Sequence, residues 1–379
     1  MSGSASAISR PPDPGPAPVQ LSAANVASEI AASAPSRPRV DKARLKLFLE
    51  SQPGLAAPLR LGDLHYIEDA GGSNGIALFD MEVERRTRPF VLRYAPGEQL
   101  LKQKRFDDEF FTLKALRAHG VPAPIARWYD ATGEAIGFPF LVMERLEGRA
   151  PANRMMHSTG LLAEVGPAER KAMLLQAAGF HGRLRRAALS PDAVPHLVRR
   201  GEGRTAIERE LNWWLREAVL VTASGDPQRK YLIELNRWMI ENQPDARPPT
   251  LCHGDGQIAN LMYHDGKLVA ALDWELSYLG HNEADLALVA MLIPMHVPEG
   301  VAVDGLPSEA EIVARYEAEA GAPVEHWAYF KLFNLVKVST IMLMNGRYVD
   351  DATAEALWAL NADDRKKAWA AARAEADAR

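Results

Sequence analysis

The spacing of apolar residues changes character along this chain, from a period of two in its first third to the period of a helix over most of the rest. Phe79, Met81 and Val83 alternate with Asp80, Glu82 and Glu84, as in a strand with one buried face. Pro89-Phe-Val-Leu-Arg-Tyr94 predicts the next strand, and Phe138-Pro-Phe-Leu-Val-Met-Glu-Arg-Leu-Glu-Gly148 predicts a later one. Between them, roughly Lys102 to His119, Phe106, Phe110, Leu113 and Leu116 fall on one helical face. Val121-Pro-Ala-Pro124 ends that helix, because proline and its predecessor both disfavour helical geometry. An amphipathic segment, Asp41 to Glu50, precedes the strands. From Pro167 onward helical periodicity dominates, over Ala172 to Leu189, Ile207 to Leu220, Leu286 to Val297, Ser308 to Ala320, His326 to Met344 and Ala352 to Ala376. A strand-rich part followed by a helical one predicts an α+β fold.

Composition narrows this picture. The chain has 379 residues, 47% hydrophobic and 25% charged, enough for a two-lobed core or a pair of domains. Residues 1–40 are rich in Ala, Ser and Pro, with Pro11-Pro-Asp-Pro-Gly-Pro16 among them, and are expected to form a flexible tail. Ser2 to Ser9 is too polar and too short for a signal peptide. The longest apolar run, Leu286 to Val297, is interrupted by Pro294 and falls short of the roughly 18 residues of a membrane span, so it predicts a buried helix. A net charge of -5 and a pI near 6.1 argue against general affinity for nucleic acid. The single cysteine, Cys252, cannot form an internal disulfide and is expected to be a buried thiol in a reducing cytoplasm.

Candidate chemistry is concentrated in one stretch. Leu251-Cys-His-Gly-Asp-Gly-Gln-Ile-Ala-Asn-Leu-Met262 is followed by the apolar run Leu268-Val-Ala-Ala-Leu272 and then by Asp273-Trp-Glu275. Asp255 and Asn260 bound a tight loop, and Asp273 stands at the mouth of the returning strand. Phosphoryl transfer needs a carboxylate for the acceptor hydroxyl and hard oxygen ligands that hold magnesium on nucleotide phosphates. Asp255 suits the first task, Asn260 and Asp273 the second. Taken singly, Asp and Asn beside Gly are turn residues, and it is the ordered set that points to a site. His253 and Asp255 do not make a zinc site, for no His or Cys pair stands at ligand spacing.

These residues, with Leu279-Gly-His-Asn-Glu-Ala-Asp285-Leu-Ala287 after them, resemble the aminoglycoside phosphotransferase and choline kinase family of kinase-like enzymes. The resemblance is closest from Leu251 to about Val289. It implies a two-lobed protein-kinase-like fold, with an antiparallel sheet and a helix in a nucleotide-binding lobe at 41–146 and a larger, mainly helical catalytic and acceptor lobe at 147–379. It also implies Asp255 as catalytic base, Asn260 and Asp273 as metal ligands, and Asp285 as a buttress of the catalytic loop. The linker between lobes would be the strand ending at Met143 and Glu144, whose backbone would meet the purine while Met143 packs on its ring. His181 falls where the family has a helical histidine and is expected to support the core.

Three further features gain meaning from their position upstream of that core. Gly71-Gly-Ser-Asn-Gly75, between strand signals, would let backbone amides of Gly71, Gly72, Ser73, Asn74 and Gly75 approach phosphate oxygens, although a hairpin turn uses the same residues. It is not a Walker loop, which ends in Gly-Lys-Ser or Gly-Lys-Thr. Arg93 stands where kinases place the lysine that touches the phosphates, and an arginine clamps phosphate with a different geometry. Glu109, bordering the apolar stripe of its helix, is positioned either to pair with Arg93 or to sit on the surface of the charged run Asp107-Asp-Glu109.

The expected activity is magnesium-dependent transfer of the terminal phosphate of ATP or GTP to a hydroxyl of a small molecule. Glu208 to Glu217 resembles a helix of the kinase-like domains fused to certain acyl-CoA dehydrogenases, which suggests a hydroxyacyl-CoA acceptor, whereas the family name suggests an aminoglycoside or similar amino-alcohol. Arg199, Arg200 and Arg204 would meet an anionic acceptor or form a solvated basic loop. Trp327, Tyr329, Phe330 and Phe333 would line an acceptor pocket or belong to the core. Arg93 and the weak glycine loop motivate an alternative, a pseudokinase-like protein that binds nucleotide without turnover. A two-metal phosphatase or nuclease is less well matched, since its extra carboxylates and histidines are missing.

Overall fold

The computed structural model describes residues 38–55, 58–67, 74–83, 85–97, 105–151, 159–245, 247–295, 297 and 301–379. Gly71, Gly72, Ser73 and residues 1–37 of the expected tail lie outside the described residues. After the helix α1 (Lys42–Glu50), capped by the Asp41 side chain, comes an antiparallel five-stranded sheet. Its order is β1 (His65–Tyr66), β2 (Gly75–Val83), β3 (Arg86–Tyr94), β5 (Phe140–Glu144), β4 (Ala126–Asp130). The helix α2 (Phe106–Ala118) joins β3 to β4. β4 has no apolar alternation to announce it: Ala126-Arg-Trp-Tyr-Asp130 is only partly buried at the sheet edge.

The sheet is covered on both faces, and this explains the two kinds of strand pattern. Phe79, Met81, Phe90, Leu92, Phe140 and Val142 pack with Leu45 and Leu49 of α1. Leu141 and Met143, of opposite parity on β5, join Phe110, Leu113 and Leu116 of α2 in a second cluster that runs on into the helical part. β5 is therefore apolar at every position from Phe140 to Met143, as a strand buried on both sides should be. Arg93 shares the parity of Val91, so its side chain leaves β3 on the α2 side, and the lobes share one apolar core beneath it.

The helical lobe contains α3 (Leu161–Glu164), α4 (Pro167–Ala187), α5 (Ala206–Val221), α6 (Pro227–Glu241), α7 (Glu283–Met295), α8 (Glu309–Ala320), α9 (Trp327–Asn345), α10 (Asp351–Ala359) and α11 (Ala362–Asp377). Two small antiparallel pairs, β6 (Thr250–Cys252) with β9 (Tyr278–Gly280) and β7 (Leu261–His264) with β8 (Lys267–Ala271), are inserted among them. The single helix expected from Ala352 to Ala376 is broken at Leu360 and Asn361, where Arg365 turns back to Asn361 and stacks 4.0 Å from the Trp358 ring. Tyr329, Phe330 and Phe333 are fully buried against α5 and α6, so they belong to the core and not to an acceptor pocket. Among the described residues no helix is long and apolar enough to cross a membrane.

Candidate active site

The loop after β6 is fixed by its backbone. Asp285, in the first turn of α7, accepts the N–H of His253 at 2.6 Å and of Gly254 at 2.9 Å. Gly254 has φ +82° and a Cβ there would lie 2.0 Å from the Leu276 carbonyl oxygen, so this corner requires glycine. Its own carbonyl accepts the buried Lys337 Nζ at 2.7 Å, and His181 Nε2 donates to the Gly256 carbonyl at 3.1 Å. His253 donates from Nε2 to the Leu272 carbonyl at 2.9 Å and accepts the Asp255 N–H on Nδ1 at 3.3 Å. That pair of bonds demands a neutral ring. Burial holds the His253 pKa down to about 4, outweighing the pull of Asp285.

This frame presents Asp255. Its carboxylate accepts Gln257 Nε2 at 2.9 and 3.1 Å and Asn260 Nδ2 at 2.9 Å. Burial raises its pKa, while these two amides and the positive charge of Lys337 pull it back toward the ionised form. Because Asn260 gives its amide N–H to Asp255, its Oδ1 is the atom left to face a cation.

The other wall joins the sheet to the segment after β8. Arg93 pairs with Glu109 of α2, and its Nη2 lies 2.7 Å from both Asp273 Oδ1 and Glu275 Oε2. Asn74 Nδ2 donates to the same Glu275 oxygen at 2.7 Å. Burial alone would depress the Arg93 pKa, but Asp273, Glu109 and Glu275 outweigh it and hold the guanidinium charged. Asp273 adopts the left-handed conformation, φ 61° and ψ 63°, unusual for a residue other than glycine. Its side chain is 35% exposed against 1% for Glu109 and 9% for Glu275, which makes it the carboxylate of the three that a ligand can reach.

The donor chemistry fits magnesium. That ion takes one or two protein oxygens and completes its octahedron with water and phosphate. An amide oxygen from Asn260 and the accessible Asp273 carboxylate make such a set, and among the described residues no cluster of three or more His, Cys, Asp or Glu offers an all-protein metal centre.

Other expected site residues have different surroundings. Gly75 pairs with Tyr94 across β2 and β3, and a Cβ would lie 2.3 Å from the tyrosine ring, so packing already requires this glycine. Met143 is buried in the shared core. Glu144 gives its backbone N–H to the Ile125 carbonyl at 2.9 Å, and its side chain pairs with Arg127, so that N–H is spent within the sheet. Arg199 pairs with Asp108 at 2.6 Å, and Arg200 is buried against Glu210 at 2.8 Å and the Trp213 ring at 3.8 Å, so neither forms a free basic face. Cys252 is buried, and burial drives its thiol pKa well up. The residues not anticipated from sequence are Glu275 and Lys337. Glu275 had a visible signal as the third member of Asp-Trp-Glu, whereas Lys337 lies on the buried side of a largely apolar helix, 83 residues from its partner.

Comparison with known proteins agrees with this architecture. Residues 79–330 match the model of the phosphotransferase enzyme family. Probable acyl-CoA dehydrogenase IBR3 of Arabidopsis thaliana is 30% identical over 293 residues, covering 72% of this chain and 34% of that protein. Acyl-CoA dehydrogenase family member 11 of Rattus norvegicus is 28% identical over 279 residues, covering 68% and 34%. The chain thus spans about a third of the length of these curated relatives. Among solved structures, a Ralstonia eutropha protein named after the aminoglycoside phosphotransferases superposes with TM-score 0.64 at 23% identity, over 88% of this chain and 99% of that one. Choline kinase LicA from Streptococcus pneumoniae superposes with TM-score 0.54 at 15% identity, over 86% and 98%. Those likenesses show the two-lobed kinase-like fold, and with the match over most of the sequence the conclusion is that this chain belongs to the phosphotransferase enzyme family.

Proposed function

We propose that this protein transfers the terminal phosphate of ATP or GTP to a hydroxyl of a small molecule, with magnesium as the metal. The observation that carries this reading is the hydrogen bond from Leu272 N–H to the Asn260 carbonyl at 2.7 Å, which ties the Asp255 and Asn260 loop to the segment whose Asp273 and Glu275 hold Arg93 of the sheet. Asp255 takes the proton of the acceptor hydroxyl as its oxygen attacks, and its raised pKa suits a base that must also release that proton. Asn260 orients Asp255 through Nδ2 and offers Oδ1 to the metal. Magnesium, when bound, neutralises and orients the nucleotide phosphates. Asp273 can turn from Arg93 toward the metal while Glu109 and Glu275 keep the guanidinium in place facing the phosphates.

Among acceptors, a hydroxyacyl-CoA is favoured over an aminoglycoside, because relatives 28 to 30% identical over 279 to 293 residues are named as acyl-CoA dehydrogenases. The test is a transfer assay with terminally labelled ATP or GTP, magnesium, and a panel of hydroxyacyl-CoA esters and aminoglycosides. Label is expected on a hydroxyacyl-CoA. Nucleotide binding with no transfer to any acceptor would support the non-catalytic alternative instead. Asp273→Ala should raise the magnesium requirement steeply, and an unchanged metal dependence would remove Asp273 from the ligand role.

A further inference from the structure

A second polar cavity lies away from this cleft. It has a volume of about 170 Å³ and sits where the N-terminus of α5 meets the lead-in to α7, beside Pro249. It adjoins the Thr250 end of β6, whereas Asp255 follows from the Cys252 end. At roughly 30 Å³ per water it holds the equivalent of about six waters, room for a phosphate-sized ion and less than the roughly 300 Å³ where pockets for larger molecules begin.

Its lining is cationic. Arg204, Arg209, Arg247 and His281 contribute to it with Thr205 and Gln243, and among the described residues no carboxylate does. Arg247 is tied to Glu283 and Glu325, and Arg204 stands 3.8 Å from Glu208. Among the described residues, the Arg209 guanidinium has no hydrogen bond or ion pair. At the start of α5, Thr205 Oγ1 accepts the Glu208 N–H at 3.1 Å, and the N–H groups of Ala206 and Ile207 remain among those a helix cannot satisfy internally.

The independent sign of a ligand is His281. It is 6% exposed, and among the described residues its buried Nδ1 has no hydrogen-bond partner. Its ring lies 5.7 Å from Phe330, which offers it no polar contact. Leaving a buried polar group unpaired is costly, and native structures rarely do so without a bound partner. Its surroundings are positive as well. Burial, with Arg247, His326 and Arg185 nearby, holds its pKa down to about 3, while Glu283 and Glu325 are already engaged by arginines.

We propose that this cavity binds a small oxyanion, either free phosphate or the terminal phosphate of a larger molecule, gripped by Arg209 and the amides of α5 and hydrogen-bonded by His281. This site is separate from the phosphotransfer centre and stands or falls without it. The test uses the full chain labelled with ¹⁵N in its histidine rings, with the His281 signal assigned through His281→Gln. Inorganic phosphate is titrated at constant ionic strength maintained with potassium chloride. The His281 signal is expected to shift and saturate, and Arg209→Gln should weaken the apparent affinity about tenfold, as the loss of a charge-assisted hydrogen bond does. Arg209→Lys, which keeps the charge, should fall between the two. A parallel titration with glycerol phosphate separates the sources: tighter binding of the ester assigns the cavity to an end group, and tighter binding of the free ion assigns it to phosphate itself. No saturable shift with either compound, or equal affinities in the wild type and Arg209→Gln, would overturn the proposal.

Discussion

The two walls of the cleft are held in different ways. The Asp255 loop is fixed from behind by neutral or backbone-directed bonds, from Asp285, His181, His253 and Lys337, and none of these needs to change when substrates arrive. The Arg93 wall is held chiefly by charges, one guanidinium shared among three carboxylates with the Asn74 amide on one of them, and one of those carboxylates is the proposed metal ligand. The first wall is preorganised, and under the proposed mechanism the second would exchange partners as nucleotide and metal bind. An interior of low dielectric makes both arrangements strong, but only the second is a balance of opposed charges.

Substitution at the tip of the fixed wall gives the largest expected effect. Asp255→Asn keeps the shape and the amide contacts, so nucleotide affinity should stay near wild type while turnover falls by about two to four orders of magnitude, the usual share of a general base. Nucleotide affinity and turnover measured side by side check this, and unchanged turnover would remove Asp255 from the base role. At the charged wall, Arg93→Met leaves Glu109 buried at 1% exposure with its cation gone. Breaking one partner of a buried pair costs about 3 to 5 kcal/mol, so this variant should lose stability as well as nucleotide affinity. Denaturant titration resolves the stability loss. Arg93→Lys should recover part of it, because a single ammonium cannot reach Glu109, Asp273 and Glu275 together.

The same contrast governs what could be read from the amino-acid sequence. Asp255, Asn260 and Asp273 lie within one hairpin, and local spacing is enough to bring such residues together. The Arg93–Glu109 pair was open between two outcomes, and the burial of Glu109 on the apolar side of α2 decides it. Of what holds the loop from behind, Asp285 was expected as its buttress and His181 as a support of the core, whereas Lys337, which reaches the loop from 83 residues away in sequence, was not legible. The aromatic residues of α9 show the limit in the other direction. Helical spacing marks Tyr329, Phe330 and Phe333 as one apolar face but does not say whether that face meets a ligand or other helices. In the fold, β4 escaped because its half-buried residues have no alternation, and α10 and α11 were merged because Asn361 is a weak signal for a break.

Lys337 tests how much of the fixed wall depends on one charge. It lies beneath Trp214, Tyr278 and Phe333, with Nζ 5.4 to 5.8 Å from their ring centres. Burial lowers its pKa, and Glu210, Asp285 and Asp255 oppose that. Lys337→Met preserves the volume but leaves the Gly254 carbonyl without its donor, which should cost about 1 to 3 kcal/mol of stability. The amides of residues 253–255 should also exchange faster with solvent hydrogen. If exchange there is unchanged while global stability falls, Lys337 serves the packing of α9 and not the loop.

At neutral pH the smallest expected effect comes from His253, which acts only on acidification, and its sign follows from the tautomer. The ring must be neutral to accept the Asp255 N–H on Nδ1, and its pKa in the fold is about 4 against an ordinary value of 6.5. Between those two values the unfolded chain holds a proton that the folded chain refuses, so acidification favours unfolding. The contribution is fully present above pH 6.5, falls by about 1 kcal/mol over the first pH unit below it, and is exhausted near pH 4. His253→Gln removes this one titration, so its urea midpoint should decline less steeply with acid than that of the wild type over the same range. His181, His281 and His196 also have lowered pKa values and remain in both proteins, so the difference between the two curves reports His253 together with its coupling to the neighbouring His181. Parallel curves would mean that the ring is already charged in the fold, which would take away the acceptor for the Asp255 N–H and with it part of the rigidity assigned to that wall.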